Sequence, residues 1–178
     1  MKRIKLHNKE FEISITFDEI QNAVKKIANK ISEDYKGEIP VFLSILNGSF
    51  IFAADLLREI NIDCVVSFIK LASYKGSSTS GKVLELIGIN EDLTGRKIIV
   101  IEDIIDTGST MAHLMDELKN HNPADIKIAS LFFKPEVCKE KIHIDYLGMN
   151  LPNHFVVGYG LDYEGLGRNY YDIYKKID

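Results

Sequence analysis

Cysteine is scarce in this chain: Cys64 and Cys138 are the only two in 178 residues, and they stand far apart. That pattern excludes a disulfide framework and fits reduced cytosolic thiols, packed or inert. Five histidines, His7, His113, His121, His143 and His154, show neither H-E-x-x-H nor mixed Cys/His ligand spacing, which argues against zinc. No apolar run approaches about 18 residues, and the amino terminus MKRIKLHNKE carries charge without the apolar centre of a leader. The expected setting is the cytoplasm, with no membrane partner. Positive charge is limited as well: 22 lysines and arginines stand against 26 acids, the net charge is −4, and the lysines are spread rather than clustered. That distribution leaves no electrostatic footprint for nucleic acid. Two common phosphate-binding signatures are missing too, G-x-x-x-x-G-K-S/T and a G-x-G-x-x-G opening a helix after a strand. There is no internal repeat and no low-complexity tract.

What is present suits one domain spanning residues 1–178 with a sizeable core, at 46% hydrophobic and 27% charged residues. Residues 3–6 and 11–15 alternate polar and apolar about a His7-Asn8-Lys9 turn and predict a short hairpin or arm. Thr16-Phe17-Asp18-Glu19 has the form of a capping box, and Ile20, Val24, Ile27 and Ile31 follow at helical spacing up to Gly37. Strands are expected at 40–46, 63–72, 97–103, 125–133 and 154–160, with helices at 49–60 and 109–121. Strand alternating with helix predicts an α/β fold around a mainly parallel central sheet flanked by helices, whose ligands sit at the carboxyl ends of strands.

One stretch carries the most chemistry. Lys97 to Ile101 is apolar and β-branched without alternation, as in a strand covered on both faces. Glu102 and Asp103 follow at once; in an extended chain adjacent side chains leave on opposite sides, so the pair offers two carboxylates at the sheet edge. Asp106 to Thr110 then supply a turn and the start of a helix whose apolar positions include Met111, Leu114, Met115 and Leu118. Taken singly, Asp106, Thr107 or Ser109 reads as a helix cap, and Glu102 and Asp103 as a solvated strand end. Together, three carboxylates, three hydroxyls and a glycine within nine residues point to a cation or a polyol between the acids and an anion at the helix start.

Val100 to Met111, VIEDIIDTGSTM, closely resembles the signature of the purine phosphoribosyltransferases, in particular the branch that salvages the 6-oxopurines hypoxanthine and guanine. Phe155 to Tyr163, FVVGYGLDY, resembles a second family motif. The resemblance implies the type I phosphoribosyltransferase fold with a small hood formed by the chain ends, and a Mg2+-dependent enzyme. Its expected reaction joins a 6-oxopurine to phosphoribosyl pyrophosphate and releases pyrophosphate. It assigns Glu102 and Asp103 to the ribose hydroxyls, directly or through Mg2+, and Asp106, Thr107, Gly108, Ser109 and Thr110 to the 5′-phosphate. Asp106 also takes the role of base toward N7 of the purine. Asn47, Gly48 and Arg168 fall to pyrophosphate, with a non-proline cis peptide at Leu46-Asn47. Lys134 donates to the 6-oxygen, which an ammonium does for an oxo group but not for the amino group of adenine. Phe155 stacks on the base, the Val156 and Asp162 backbones read its edge, and the Asp162 carboxylate helps hold a second Mg2+. Ser73 and Tyr74 open a mobile loop that closes over the site. Homodimers or homotetramers are implied as well.

The chain departs from that pattern in two places. Family members commonly carry Lys where Asn47 stands, and Glu164-Gly165-Leu166-Gly167 is looser than usual before Arg168. Two readings from other classes stand beside the enzyme. A regulator or ligand sensor that keeps the fold without catalysis predicts a basic face. An unrelated doubly wound phosphate-binding module accounts for residues 97–110 and leaves Phe155 to Asp162 without a role.

Overall fold

The computed structural model describes residues 3–73, 83–89 and 91–177. Its first elements are a hairpin, β1 (Arg3–Leu6) and β2 (Lys9–Ile15), and a long helix, α1 (Phe17–Asp34). The capping box forms as the sequence predicts: the Thr16 hydroxyl accepts from the Glu19 N–H at 3.4 Å, and the Thr16 N–H donates to the Glu19 carboxylate at 2.8 Å. Such a cap contributes about 1 kcal/mol to a helix end. Ile20, Val24, Ile27 and Ile31 are all buried, so the helical spacing marks the core face.

Then follow β3 (Val41–Leu46), α2 (Phe50–Glu59), β4 (Val65–Ser73), β5 (Val83–Ile87), β6 (Lys97–Ile105), α3 (Ser109–Lys119), β7 (Asp125–Phe133), β8 (Tyr146–Asn150), β9 (Val156–Val157) and β10 (Ile173–Lys176). The central sheet has the order β5-β4-β3-β6-β7-β8, parallel from β4 to β8 and closed by antiparallel β5. Both faces are covered. Phe42, Ile99, Ile101 and Leu131 pack with α1 and α2 on one face; Val41, Leu43, Val100 and Ile128 pack with α3 on the other. The chain ends form a second, antiparallel sheet in the order β1-β2-β10-β9, the expected hood.

Two features of this sheet shape what lies at its carboxyl edge. The β3–β6 ladder ends at Ser44↔Ile101, whereas β6–β7 continues to Ile105↔Phe133. Beyond residue 101, therefore, β6 keeps one neighbour and loses the other. Since β3 leads into α2 on one face and β6 into α3 on the opposite face, this gap is the switch point of a doubly wound sheet. The second feature is a change of side-chain phase. Ile101 and Ile104 belong to the same core, as do Val100 and Ile105, so strict alternation breaks near Asp103.

Three expectations need correction. Residues 154–160 are not one strand: only Val156–Val157 pair, after which Gly158, Tyr159 and Gly160 all take positive φ, at 105°, 46° and 100°. Apolar β-branched residues look the same whether the strand continues or turns. The strands at 83–87, 146–150 and 173–176 were not expected; Gly148 weakens the signal of the second, and it is there because an added Cβ would sit 2.5 Å from the Leu131 carbonyl oxygen. The hairpin turn is His7-Asn8, with Lys9 already paired to Leu6. Of the expected mobile loop, Tyr74 lies outside the described residues and Ser73 is the last residue of β4.

Candidate active site

The gap between β3 and β6 opens two hollows that share a wall. The first, of about 200 Å3, is bordered by Glu102, Asp106, Thr107, Gly108 and Thr110, with Ile45, Leu71 and Met111 as its apolar floor. The second, of about 290 Å3, is bordered by Gly48, Glu102, Asp103, Asp106, Lys134, Phe155, Val156, Leu161, Asp162 and Arg168. Glu102 and Asp106 face both. Residues 48, 102–110, 134 and 155–168, far apart in the chain, thus meet around one cleft. Asn47 and Ser109 border neither hollow: Asn47 is exposed, and the Ser109 hydroxyl lies 3.3 Å from that of Thr107.

The break in alternation at Asp103 overturns the expectation that the two acids part. Glu102 and Asp103 border the same hollow, and their carboxyl groups are hydrogen-bonded to each other. Burial pushes the Glu102 carboxyl well above the usual carboxylate range, and the charge of Asp103 and their shared hydrogen bond push it further. Burial also raises Asp103, opposed by its bond to Glu102, by the Ile104 N–H donating to it at 2.8 Å, and by the Arg168 guanidinium. Asp103 is 6% exposed. On its other side stands Gly48, where an added Cβ would fall on the Asp103 carboxylate. Any larger residue at position 48 would evict that carboxylate.

The loop after β6 is open to an anion. Gly108 is the N-cap residue of α3, with φ of 87°, and brings no side chain to cap the helix. Asp106 and Ser109 do not cap the helix, and Thr107 does so only through a long contact, its hydroxyl 3.5 Å from the Ser109 N–H, so the next N–H groups of α3 face the loop at the positive end of its dipole. A side chain at Gly108 would meet Ile142 at 2.7 Å and Cys138 at 3.0 Å, so the loop is also pinned from behind. The Lys139 N–H donates to the Thr107 carbonyl at 3.1 Å and fixes it further.

Across the cleft, Lys134 is 6% exposed and its ammonium lies 3.3 Å from the Asp106 carboxylate. Phe155 is 45% exposed, with its ring edge-on to Tyr163 at 5.6 Å between centroids. The Lys9 ammonium stands 4.1 Å from the Tyr163 ring and 5.4 Å from Phe155, a cation–π contact from the amino-terminal hairpin that the sequence did not suggest. Asp162 pairs with Arg168 at 2.5 Å and accepts from the Gly165 N–H at 2.7 Å. Arg168 also donates to the Gly160 carbonyl at 2.6 Å.

The 46–49 loop rests on backbone and hydroxyl contacts. Its Leu46-Asn47 peptide is cis. The Ser49 hydroxyl donates to the Ile45 carbonyl at 2.5 Å and lies 2.6 Å from the Ser44 hydroxyl, both buried. The carbonyl of Gly48 touches the Cα of Gly160, where no Cβ would fit. Of Ser44, Ser49 and Gly160, only Ser44 carries a local signal, a serine in the middle of an otherwise apolar strand.

Residues 16–164 match the model of the phosphoribosyl transferase domain. The chain is 39% identical over 165 residues to the hypoxanthine-guanine phosphoribosyltransferase of Streptococcus pneumoniae, covering 92% of each chain. Among solved structures, it resembles a hypoxanthine-guanine phosphoribosyltransferase from Bacillus anthracis with a TM-score of 0.89 and 39% identity, over 93% of this chain and 98% of that one. The hypoxanthine phosphoribosyl transferase of Trypanosoma cruzi has a TM-score of 0.89 and 33% identity, over 98% and 95%.

The raised Glu102 carboxyl has a consequence for the free protein. The folded state holds this proton more tightly than the unfolded chain does. The associated stability is fully present below the ordinary value of 4.5 and is lost as pH rises through the higher folded value. Glu102→Gln is expected to flatten this decline and to melt at a higher temperature than the unaltered protein at pH 8. Thermal melts of both proteins from pH 4 to 8 check it; parallel profiles would exclude a strained acid pair.

Proposed function

The chain belongs to the phosphoribosyl transferase family, and from that premise we infer that it is a purine salvage enzyme. It transfers the 5-phosphoribosyl group of phosphoribosyl pyrophosphate to N9 of a 6-oxopurine, hypoxanthine and also guanine, giving the nucleotide and pyrophosphate. The observation that carries this reading is the meeting of Asp106, Lys134, Phe155 and Asp162 around one hollow that adjoins the start of α3. Nothing supports the non-catalytic regulator.

Each residue has a task that follows from its chemistry. The N–H groups of the loop at Thr107–Thr110 receive the 5′-phosphate. Glu102 and Asp103 hold the ribose hydroxyls and stabilise the positive charge that develops on the ribose carbon as its bond to the pyrophosphate oxygen breaks and the bond to N9 forms. Phe155 offers its exposed ring to the purine, Lys134 donates to the 6-oxygen, and the Val156 and Asp162 backbones read the base edge. Asp106, within reach of Lys134, accepts the proton from N7 as N9 attacks. Gly48, Asn47 and Arg168 receive pyrophosphate, the last through a guanidinium fork that matches phosphate oxygens.

Glu102 and Asp103 fit Mg2+ as well: two adjacent carboxyls have raised proton affinity, and the one cation acting on them, Arg168, only partly offsets Asp103. Among the described residues no three His, Cys, Asp or Glu gather as an all-protein cage, which suits a cation that takes one or two carboxylates and completes its shell with substrate oxygens. Asp162 would help hold a second ion. When bound, Mg2+ neutralises charge on the leaving pyrophosphate.

We further propose that residues 1–178 act as one cytoplasmic catalytic domain that assembles as a homodimer or homotetramer. No helix among the described residues is long and apolar enough to cross a membrane. Phe50, Val66 and Phe68 are 43%, 39% and 42% exposed. They belong together, because Ser44 is the ladder partner of Phe68 and is hydrogen-bonded to Ser49, next to Phe50. An exposed apolar group of this kind suits a second copy of the chain.

Asp106→Asn is expected to lower the turnover number by about 10²- to 10⁴-fold while leaving the fold intact; an unchanged turnover number would remove Asp106 from the chemistry. Lys134→Gln is expected to weaken hypoxanthine and guanine use and to relax discrimination against adenine. Steady-state constants for the three bases test it, and identical constants would refute the role. Sedimentation of Phe68→Asp beside the unaltered protein tests the assembly, with a shift toward monomer expected.

A further inference from the structure

We infer that Tyr159 and Asp55 are a positioning pair for the pyrophosphate end of the site, fixing the segment that carries Asp162 and Arg168 against the 46–49 loop. Neither residue borders the hollows of the cleft, so both act through the backbone. Tyr159 is 1% exposed, and its hydroxyl donates to Asp55 Oδ2 at 2.6 Å. Gln21 of α1 donates to the same oxygen at 2.8 Å and to the tyrosine oxygen at 3.2 Å. The other carboxylate oxygen of Asp55 lies 3.5 Å from Arg58.

The placement of the two residues gives the pair its consequence. Asp55 lies in α2, the helix into which the 46–49 loop leads. Tyr159 immediately precedes Gly160, whose N–H donates to the Arg168 carbonyl at 2.9 Å and whose carbonyl accepts from the Arg168 guanidinium at 2.6 Å. Gly160 also rests against the Gly48 carbonyl. The two segments therefore touch once through Gly48 and Gly160 and once through Asp55 and Tyr159. One contact leaves a pivot, whereas two fix an orientation.

Packing alone does not hold the tyrosine. A hollow of about 300 Å3 borders it, with Phe17, Ile51, Tyr170 and Tyr171 among its walls. Tyr159 also keeps φ of 46°, which a residue with a side chain retains only where its surroundings impose it. Burial and the facing carboxylate push its hydroxyl far above its ordinary value, so it remains a donor throughout any working pH.

This inference rests on the proposed phosphoribosyl transfer, and the test separates the two. Tyr159→Phe keeps the ring and removes the donor; Asp55→Ala removes the acceptor. Each is expected to raise KM for phosphoribosyl pyrophosphate and Kd for Mg2+–pyrophosphate about five- to twentyfold. KM for hypoxanthine should change by less than about twofold, as a hydrogen bond remote from the base predicts. Asp55→Asn, whose amide oxygen still accepts, should stay within about twofold of the unaltered protein. The double variant Tyr159→Phe/Asp55→Ala should be no worse than either single one. Equal rises for both substrates, or lowered melting temperatures with unchanged pyrophosphate Kd, would overturn the pair. Calorimetric binding of Mg2+–pyrophosphate needs no turnover. An unaltered protein inactive with every purine would thus overturn the phosphoribosyl transfer while the Kd comparison still decides Tyr159 and Asp55.

Discussion

The site depends on the parting of β3 from β6 at Ser44↔Ile101. Up to that pair the central strands are packed on both faces by α1 and α2 on one side and α3 on the other, and apolar side chains fill most of the space between the layers. Beyond it, β6 runs on beside β7 with its other edge free, and the polar side chains of the motif occupy the vacated space. The sequence order of these residues follows from this geometry. The unbroken apolar run ends at Ile101 because the β3 side of the cover ends there, and the acids begin at Glu102 because the cleft begins there.

Burying Glu102 and Asp103 side by side is unfavourable to the free protein, and the scaffold around them is arranged to hold them regardless. Gly48 leaves room for the Asp103 carboxylate, the Ile104 N–H donates to it, and Arg168 lies near enough to lower its proton affinity. What remains unneutralised is the charge that a bound cation and the positive ribose would meet. Such a site is prepared for charge that arrives with the substrate, which is how electrostatic preorganisation acts. The same logic applies to α3, whose N-cap Gly108 brings no side chain and whose first turn is met by the Thr107 hydroxyl only at 3.5 Å, a helix start suited to an anion.

Most of the central sheet was legible from residues 40–133, because unbroken β-branched runs are local signals, as the capping box is for α1. So were the two site motifs, as sets of residues. The geometry within them was not. Alternation predicts that Glu102 and Asp103 part, and only the change of phase shared by β6 and β7 makes them converge. Residues 158–160 read as a strand, yet all three have positive φ; for Tyr159 that conformation costs about 1–2 kcal/mol, offset by contacts with Asp55 and Gln21 more than 100 residues away in the chain. The Lys9 contact to Tyr163 and Phe155 depends on the hood closing over the cleft, a tertiary event that no local pattern encodes.

The departure at position 47 can be argued from the same contacts. If the 46–49 loop were held by its own side chain at 47, exchanging a lysine for asparagine would loosen it. The loop is held instead by the Ser44 and Ser49 hydroxyls, by Gly48 against Asp103, and by the Gly48 carbonyl against Gly160. None of these involves the side chain of Asn47, which is exposed and borders neither hollow. The backbone of this loop is therefore set by glycines and serines on either side of position 47. What a lysine there adds elsewhere in the family is one more positive charge. In this chain the cations bordering the second hollow are Arg168 and Lys134, so under the proposed function more of the recognition of the leaving group falls to Arg168 and to the segment that holds it.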